Sequence, residues 1–367
     1  MIQRLLATLV MLASMVAGSS ADAAGPDPTG ATWDSIVRAA RAEGVLVLSG
    51  PRGLDELQTL ITEGFERAYG IRVDYSRLGP DEMVRTVPQE RAAGEYRWDV
   101  FLGGNDTLMF NMKRLGVLVP IEPALIRPEV RDANNWEGNA LPFFESDHVG
   151  LAYGREAAQY FFVNTTLTDP NEIATYRAFL EPKWKGQILL TGDPREGGHA
   201  RSAFTFFFEH PNLGREFVRQ MLTEQVRITR SDQETDEALV RGDYLMCICN
   251  RAQGARLAAE RLPYQVLNPH RIAEGIDVTS SFANVALVDR APHPNAAIVF
   301  LNWLLSRETG VLIQERMGIP STRADITRDN VPPGTVPEPG WLVANHEENL
   351  PRAAQMVEFI RTLMVDE

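Results

Sequence analysis

The feature that most restricts the fold is an alternation of short apolar runs with amphipathic stretches, each run closed by glycine or a small polar residue. Val45-Leu46-Val47-Leu48 ends in Ser49-Gly50, and an apolar run of that length bounded by turn residues marks a buried strand. Leu54, Leu57, Leu60, Ile61, Phe65 and Ala68 then share one face of a helix that Gly70 closes. A helix over 32–43 comes before this run. After it follow a strand over 71–75, a helix over 80–93 interrupted near Pro88, the strand Trp98-Asp99-Val100-Phe101-Leu102, and a helix over 106–115. This βαβαβα order predicts a parallel sheet covered on both faces. Ligands bind such sheets beyond the carboxyl ends of the strands. Here those ends carry Ser49-Gly50-Pro51-Arg52-Gly53 and Gly103-Gly104-Asn105.

A second unit of the same kind begins at Gly186. Its strand Gln187-Ile188-Leu189-Leu190-Thr191 exits through Gly192-Asp193-Pro194-Arg195-Glu196-Gly197-Gly198 into an aromatic-rich helix over 199–209. Helices over 212–223 and 232–240 precede a strand over 244–249 that ends in Asn250. Residues 117–150 read as irregular, and the chain is expected to cross between units near a strand over 160–164. A strand over 265–269 is expected to return it to the first unit, where Ser281 to Val288 reads as a strand and Asn295 to Leu305 as a helix opened by Pro292-His293-Pro294. Four prolines within 331–340 mark a linker or surface loop, and an amphipathic helix over 350–364 follows.

Single cores stop growing beyond about 250–300 residues, so a chain of 367 residues is expected to divide. The expected architecture is a two-lobed α/β fold, each lobe a mainly parallel sheet flanked by helices, with a ligand cleft between them. One lobe takes residues 32–160 and 275–326, the other 161–274, and 327–367 form a C-terminal extension.

At the N-terminus, Arg4 and the apolar run Leu5 to Ala17, followed by Ala21 and Ala23, have the form of a cleavable secretory signal over residues 1–23. A periplasmic location is expected. The net charge of −13 disfavours nucleic acid and anionic membranes as partners. No nucleophile or zinc-protease motif occurs, and the six histidines lack ligand spacing. An enzyme is therefore not expected, nor is a cofactor. Cys247 and Cys249 face the same side of a strand, with Cα atoms about 6.6 Å apart at the usual rise. They read as two buried thiols, with a disulfide or a soft-metal pair as the alternatives.

Several segments together resemble the extracellular solute-binding proteins of ABC importers, in the branch that includes ferric-iron receptors. Trp98-Asp99-Val100-Phe101 is similar to that family's third strand, and Phe162-Val163-Asn164-Thr165-Thr166-Leu167 to its crossing segment. Near the end, Ala291-Pro292-His293-Pro294-Asn295-Ala296-Ala297, Phe300 to Ser306 and Gly318-Ile319-Pro320-Ser321 resemble its late signature. The resemblance covers about residues 32–326. It implies a type II cleft receptor, monomeric, that closes on a small-molecule solute and presents it to an inner-membrane permease. The iron receptors of this branch carry adjacent tyrosines where a second-lobe strand ends. Here that strand ends Cys247-Ile248-Cys249-Asn250, and thiols suit softer metals than ferric ion.

The candidate cleft follows from the strand ends. Gly197 and Gly198 open a helix whose free N–H groups and positive dipole end suit an anion, and Asp193 and Arg195 belong to the same loop. The Arg195 guanidinium can pair with a carboxylate or phosphate in a fork. Arg52 can clamp the same group from the opposite lobe, and Ser49 lies beside it. Asn105 and Asn250 can orient a ligand or cap a turn. Arg230, Tyr153 and Ser281 complete the set. An anionic organic solute, carboxylate or phosphonate-like, is the expected ligand; a ferric or other metal receptor with non-tyrosine ligands is the alternative.

Overall fold

The computed structural model describes residues 32–229, 231–343 and 346–364; the signal segment lies outside them. Helix α1 (Trp33–Glu43) leads into β1 (Val45–Ser49), α2 (Asp55–Tyr69), β2 (Arg72–Ser76), α3 (Pro80–Ala92) and β3 (Val100–Gly103). A π-helical turn at Asn105–Met109 feeds α4 (Phe110–Arg114), followed by β4 (Leu118–Val119), α5 (Pro128–Arg131) and β5 (Gly150–Ala152). β6 (Glu156–Ala157) and β7 (Phe161–Asn164) carry the chain into β8 (Ile188–Thr191), α6 (Gly198–Glu209), α7 (Gly214–Gln220), β9 (Val226–Thr229), α8 (Asp232–Arg241), β10 (Met246–Ile248), α9 (Arg251–Ala259) and β11 (Tyr264–Val266). β12 (Val278–Thr279), β13 (Asn284–Val288), α10 (Pro294–Leu304), α11 (Arg307–Met317) and α12 (Leu350–Leu363) complete the order.

The first sheet runs β2-β1-β3-β13-β4, with β5 also on β13. β1 is parallel to β2 and β3, while β13 is antiparallel to β3, β4 and β5. Alternating side chains feed a core on each face. Leu46, Leu48, Val100, Leu102, Val285 and Leu287 pack under α1, α2 and α10, whereas Phe101, Ala286 and Val288 pack under α3 and α4. The second sheet runs β11-β7-β10-β8-β9, with β8 parallel to β9 and β10. It too has two cores: Ile188, Leu190, Met246 and Ile248 with the aromatics of α6, and Phe162, Leu189 and Cys247 with α8 and α9. Two sheets, each covered on both faces, are the two-lobed α/β fold the pattern implies.

Four details differ from the sequence reading. The strand after Pro263 is β11, the edge of the second sheet paired with β7, so it does not return the chain to the first lobe. That return runs through β12, which pairs with β6 in a two-stranded ribbon. The late strand begins at Asn284, because Ser281 has a positive φ of 48° that an extended strand cannot hold. Finally, Cys247 and Cys249 are joined in a disulfide, with Cα atoms 5.5 Å apart.

Candidate functional site

Register places the site residues along two sheet edges. Ser49 pairs with Phe101, Gly103 with Asn284, and Asn284 with Ala152. Ser49, Asn105, Tyr153 and Ser281 therefore stand at one edge of the first sheet. In the second sheet Thr191 and Thr229 pair at the carboxyl ends of β8 and β9, and Ile248 sits across from Phe161. The chain leaves the first edge at Ala152 and enters the second at Phe161; it goes back from Val266 to Asn284. Both connectors thus join these same two edges, with the β6–β12 ribbon between them.

At the second edge, Gly197 has φ 142° and Gly198 φ 64°, conformations that an L side chain rarely adopts. They open α6, which has no acidic residue in its first turn. Arg195 is not poised as expected. Its Nε and Nη2 donate to the Asp193 carboxylate at 2.9 and 2.7 Å, its backbone N–H donates to the same group at 2.7 Å, and Nη1 donates to the Met364 carbonyl at 3.4 Å. Burial opposes ionisation of Asp193, but these bonds from Arg195 outweigh it and hold the carboxyl below its ordinary value. The fork that reads as an anion clamp is therefore closed on its own loop. Asn250 is likewise committed: its side chain accepts from Gln253 N at 2.9 Å while Gln253 Oε1 accepts from Asn250 N at 3.1 Å, a capping box at the start of α9. Arg230 lies outside the described residues.

At the first edge, Arg52 is exposed and makes no hydrogen bond or ion pair among the described residues; its guanidinium packs against the backbone of Gly79, at the start of α3. Ser49 is buried at the end of β1 and Asn105 at the start of the π-helical turn. Tyr153 is not an open lining residue. It belongs to the first core, its hydroxyl donates to the Phe282 carbonyl at 3.4 Å, and burial pushes its pKa well up. Ser281 N donates to Thr279 Oγ1 at 2.9 Å and shapes the turn into β13.

The structure adds polar groups that sequence reasoning missed. Gln253 Nε2, Asn284 Oδ1, Arg201 Nε and Asp277 Oδ1 are buried without a hydrogen-bond partner. Asn284 sits at the first edge, where its Nδ2 donates to the Gly103 carbonyl at 2.8 Å. Asp277, in the connector to β12, accepts from the Tyr160 hydroxyl at 3.2 Å, and burial pushes its pKa up to about 7. The spacing Asn250-x-x-Gln253 was a legible signal for α9; nothing in the sequence marked Asn284 or Asp277. Among the described residues no group of three or more His, Cys, Asp or Glu is placed to hold a metal.

A family model described as bacterial extracellular solute-binding protein matches residues 61–330. Iron uptake protein A1 of Synechocystis is 21% identical over 252 residues, a match spanning 66% of this chain and 66% of that relative. Among solved structures, the Trichodesmium IdiA (FutA) protein in complex with iron and citrate superposes with a TM-score of 0.64 at 17% identity, covering 87% of this chain and 99% of the other. AfuA of Actinobacillus pleuropneumoniae, with fructose-6-phosphate bound, gives 0.59 at 17% identity over 88% and 99%.

Proposed function

The chain belongs to the bacterial extracellular solute-binding protein family, and on that premise we propose that it is the periplasmic receptor of an ABC importer, holding a small anionic organic solute, a carboxylate or phosphonate-type compound, by hinge closure. The lobes are divided at residues 160/161 and 274/275. The observation that carries the anionic reading is the start of α6, which follows the carboxyl end of β8: two glycines and no acidic residue in the first turn. In the first lobe α2 opens with Asp55 and Glu56 and α3 with Asp81 and Glu82, which neutralise those helix starts. An anion is thus held by second-lobe backbone and met from the first lobe by Arg52. Arg195 acts indirectly, fixing the loop through Asp193.

A thermal-shift screen over carboxylates, phosphonates, polyamines and metals tests the class, since a ligand raises apparent stability by mass action. Stabilisation by polyamines alone overturns the anionic reading. With the solute in hand, calorimetry of Arg52→Ala should show a loss of about 1.5–3 kcal/mol, that of a charged hydrogen bond, and Arg195→Ala a smaller one. Equal affinity of Arg52→Ala and the parent removes Arg52 from the site.

A second reading, a ferric or other metal receptor with non-tyrosine ligands, is favoured by the iron named for two of its relatives. The end of β10 counts against a direct site of the tyrosine kind, because Cys249 is tied to Cys247 and Asn250 caps α9. Metal analysis and visible absorption of the purified protein separate the two readings.

A further inference from the structure

The C-terminal segment supplies none of the candidate cleft residues, yet it holds both lobes. Glu347 is bound to the first lobe. Its Oε1 accepts from Lys113 Nζ at 2.6 Å, its Oε2 accepts from Ser146 N and Oγ at 3.0 and 3.1 Å, and its backbone N–H donates to the Phe144 carbonyl at 3.2 Å. Leu350 packs on the first-lobe core of Phe110 and Phe144. From there α12 lies on the second lobe. Met356 and Ile360 are fully buried in its core, Phe359 meets Phe208 with ring centroids 5.9 Å apart, and Arg352 pairs with Glu209 at 2.8 Å. At its far end the Met364 carbonyl accepts from Arg195, in the loop that opens α6.

The two ends differ in how they can let go. The second-lobe end is held chiefly by buried apolar contacts, Met356 and Ile360 above all, with the Arg352–Glu209 pair at its margin. The first-lobe end is an ion pair whose side chains are 28% (Glu347) and 15% (Lys113) exposed. Lys113 also reaches Glu145 at 3.0 Å and Asp147 at 2.9 Å, and the Glu145 side chain is fully buried. If Glu347 departs, Lys113 keeps two carboxylates and Glu347 gains water, so no buried charge is left without a partner. Removing Lys113 would instead leave the buried Glu145 with its backbone N–H donors from Asp147, Val149 and Gly150 but no counter-charge. Burial raises the Glu347 carboxyl and its bonds from Lys113 and Ser146 lower it further, leaving it below its ordinary value; the pair is therefore charged at neutral pH.

We propose that residues 346–364 form an inter-lobe staple, fixed to the second lobe through α12 and releasable from the first at the Glu347–Lys113 contact, which limits how far the lobes swing before a solute arrives. The staple acts whatever the solute is, so its test needs none. Arg67→Cys on α2 and Val240→Cys on α8, both exposed, accept spin labels under non-reducing conditions, where Cys247 and Cys249 are tied and buried. Glu347→Gln in the full chain should widen the inter-lobe distance distribution at least twofold, and molar salt should do the same to the parent. Ser146→Ala, which removes one of the hydrogen bonds to Glu347 and no charge, should widen it less. Glu358→Gln, whose carboxylate among the described residues pairs only with Arg361 on the same helix, should leave it unchanged. A Glu347→Gln distribution that matches Glu358→Gln overturns the staple.

Discussion

The first lobe and the connector to the second bury carboxylates in opposite ways. Asp99, fully buried in the first lobe, accepts from Val47 N at 2.7 Å, from His293 N at 2.8 Å and pairs with His293 Nδ1 at 2.9 Å. It ties the middle of β1 to the turn before α10, so the two segments Trp98-Asp99-Val100-Phe101 and Ala291-Pro292-His293 meet in one hydrogen-bonded node. Asp277 is as deeply buried but has the Tyr160 hydroxyl on one oxygen and nothing on the other, and nearby Tyr176 also has an orphaned hydroxyl. A satisfied buried carboxylate organises a rigid platform; a half-satisfied one stores cost where the chain must bend. The difference teaches that the first sheet is tied together by a fully bonded buried carboxylate, whereas the connector carries one with an unmet oxygen.

Substitution should give opposite signs at the two sites. Asp99→Ala leaves the half-buried Val47 and His293 N–H groups without their acceptor, at about 1–3 kcal/mol each, and should lower unfolding stability by roughly 3 kcal/mol in denaturant titration. A loss below about 1 kcal/mol would mean the node is not structural. Asp277→Asn should do the reverse at high pH. The folded-state pKa of Asp277, about 7, lies above the ordinary carboxylate value, so the native state holds the proton longer and loses stability as pH rises from about 4 to about 7. A shift of about three units corresponds to about 4 kcal/mol, and the imperfectly paired Asn amide costs roughly half of that. The variant should thus be about 2 kcal/mol less stable than the parent at pH 4 and about 2 kcal/mol more stable at pH 8. A difference that does not change sign with pH would break the comparison.

How much of this was legible depended on whether local pattern or distant pairing made each feature. β1, β2, β3, β8 and β10 were readable because each is an apolar or alternating run with its own stop signal. β5 and β6 are three- and two-residue strands that exist only through register with β13 and β12, which no local pattern records. β9 was missed because Arg227 interrupts its apolar run, and α9 because Gly254 and its alanines give no apolar stripe. At the site, the order of strand ends and the Gly197-Gly198 helix start were legible. The pairing of Arg195 with Asp193 was not, since two residues apart in a loop they can meet or diverge according to backbone dihedrals alone. Tyr153 was misread because its burial depends on Phe282, 129 residues away.

The disulfide gives the smallest and most local test of the contrast between lobes. Strand geometry put the two cysteines about 6.6 Å apart, whereas they lie 5.5 Å apart, at the point where β10 ends with Ile248. The bridge therefore braces the exit of β10, just before the cap that positions α9; the first sheet has no covalent counterpart among the described residues. A cross-link closing so short a loop is worth about 1.5 kcal/mol by chain entropy. The double variant Cys247→Ala/Cys249→Ala should lower stability by about that amount, with hydrogen exchange accelerating in β10 and the start of α9 while β13 stays protected. Equal acceleration in β13 would show that the two sheets unfold as one unit and that the lobes do not differ in the way their buried groups suggest.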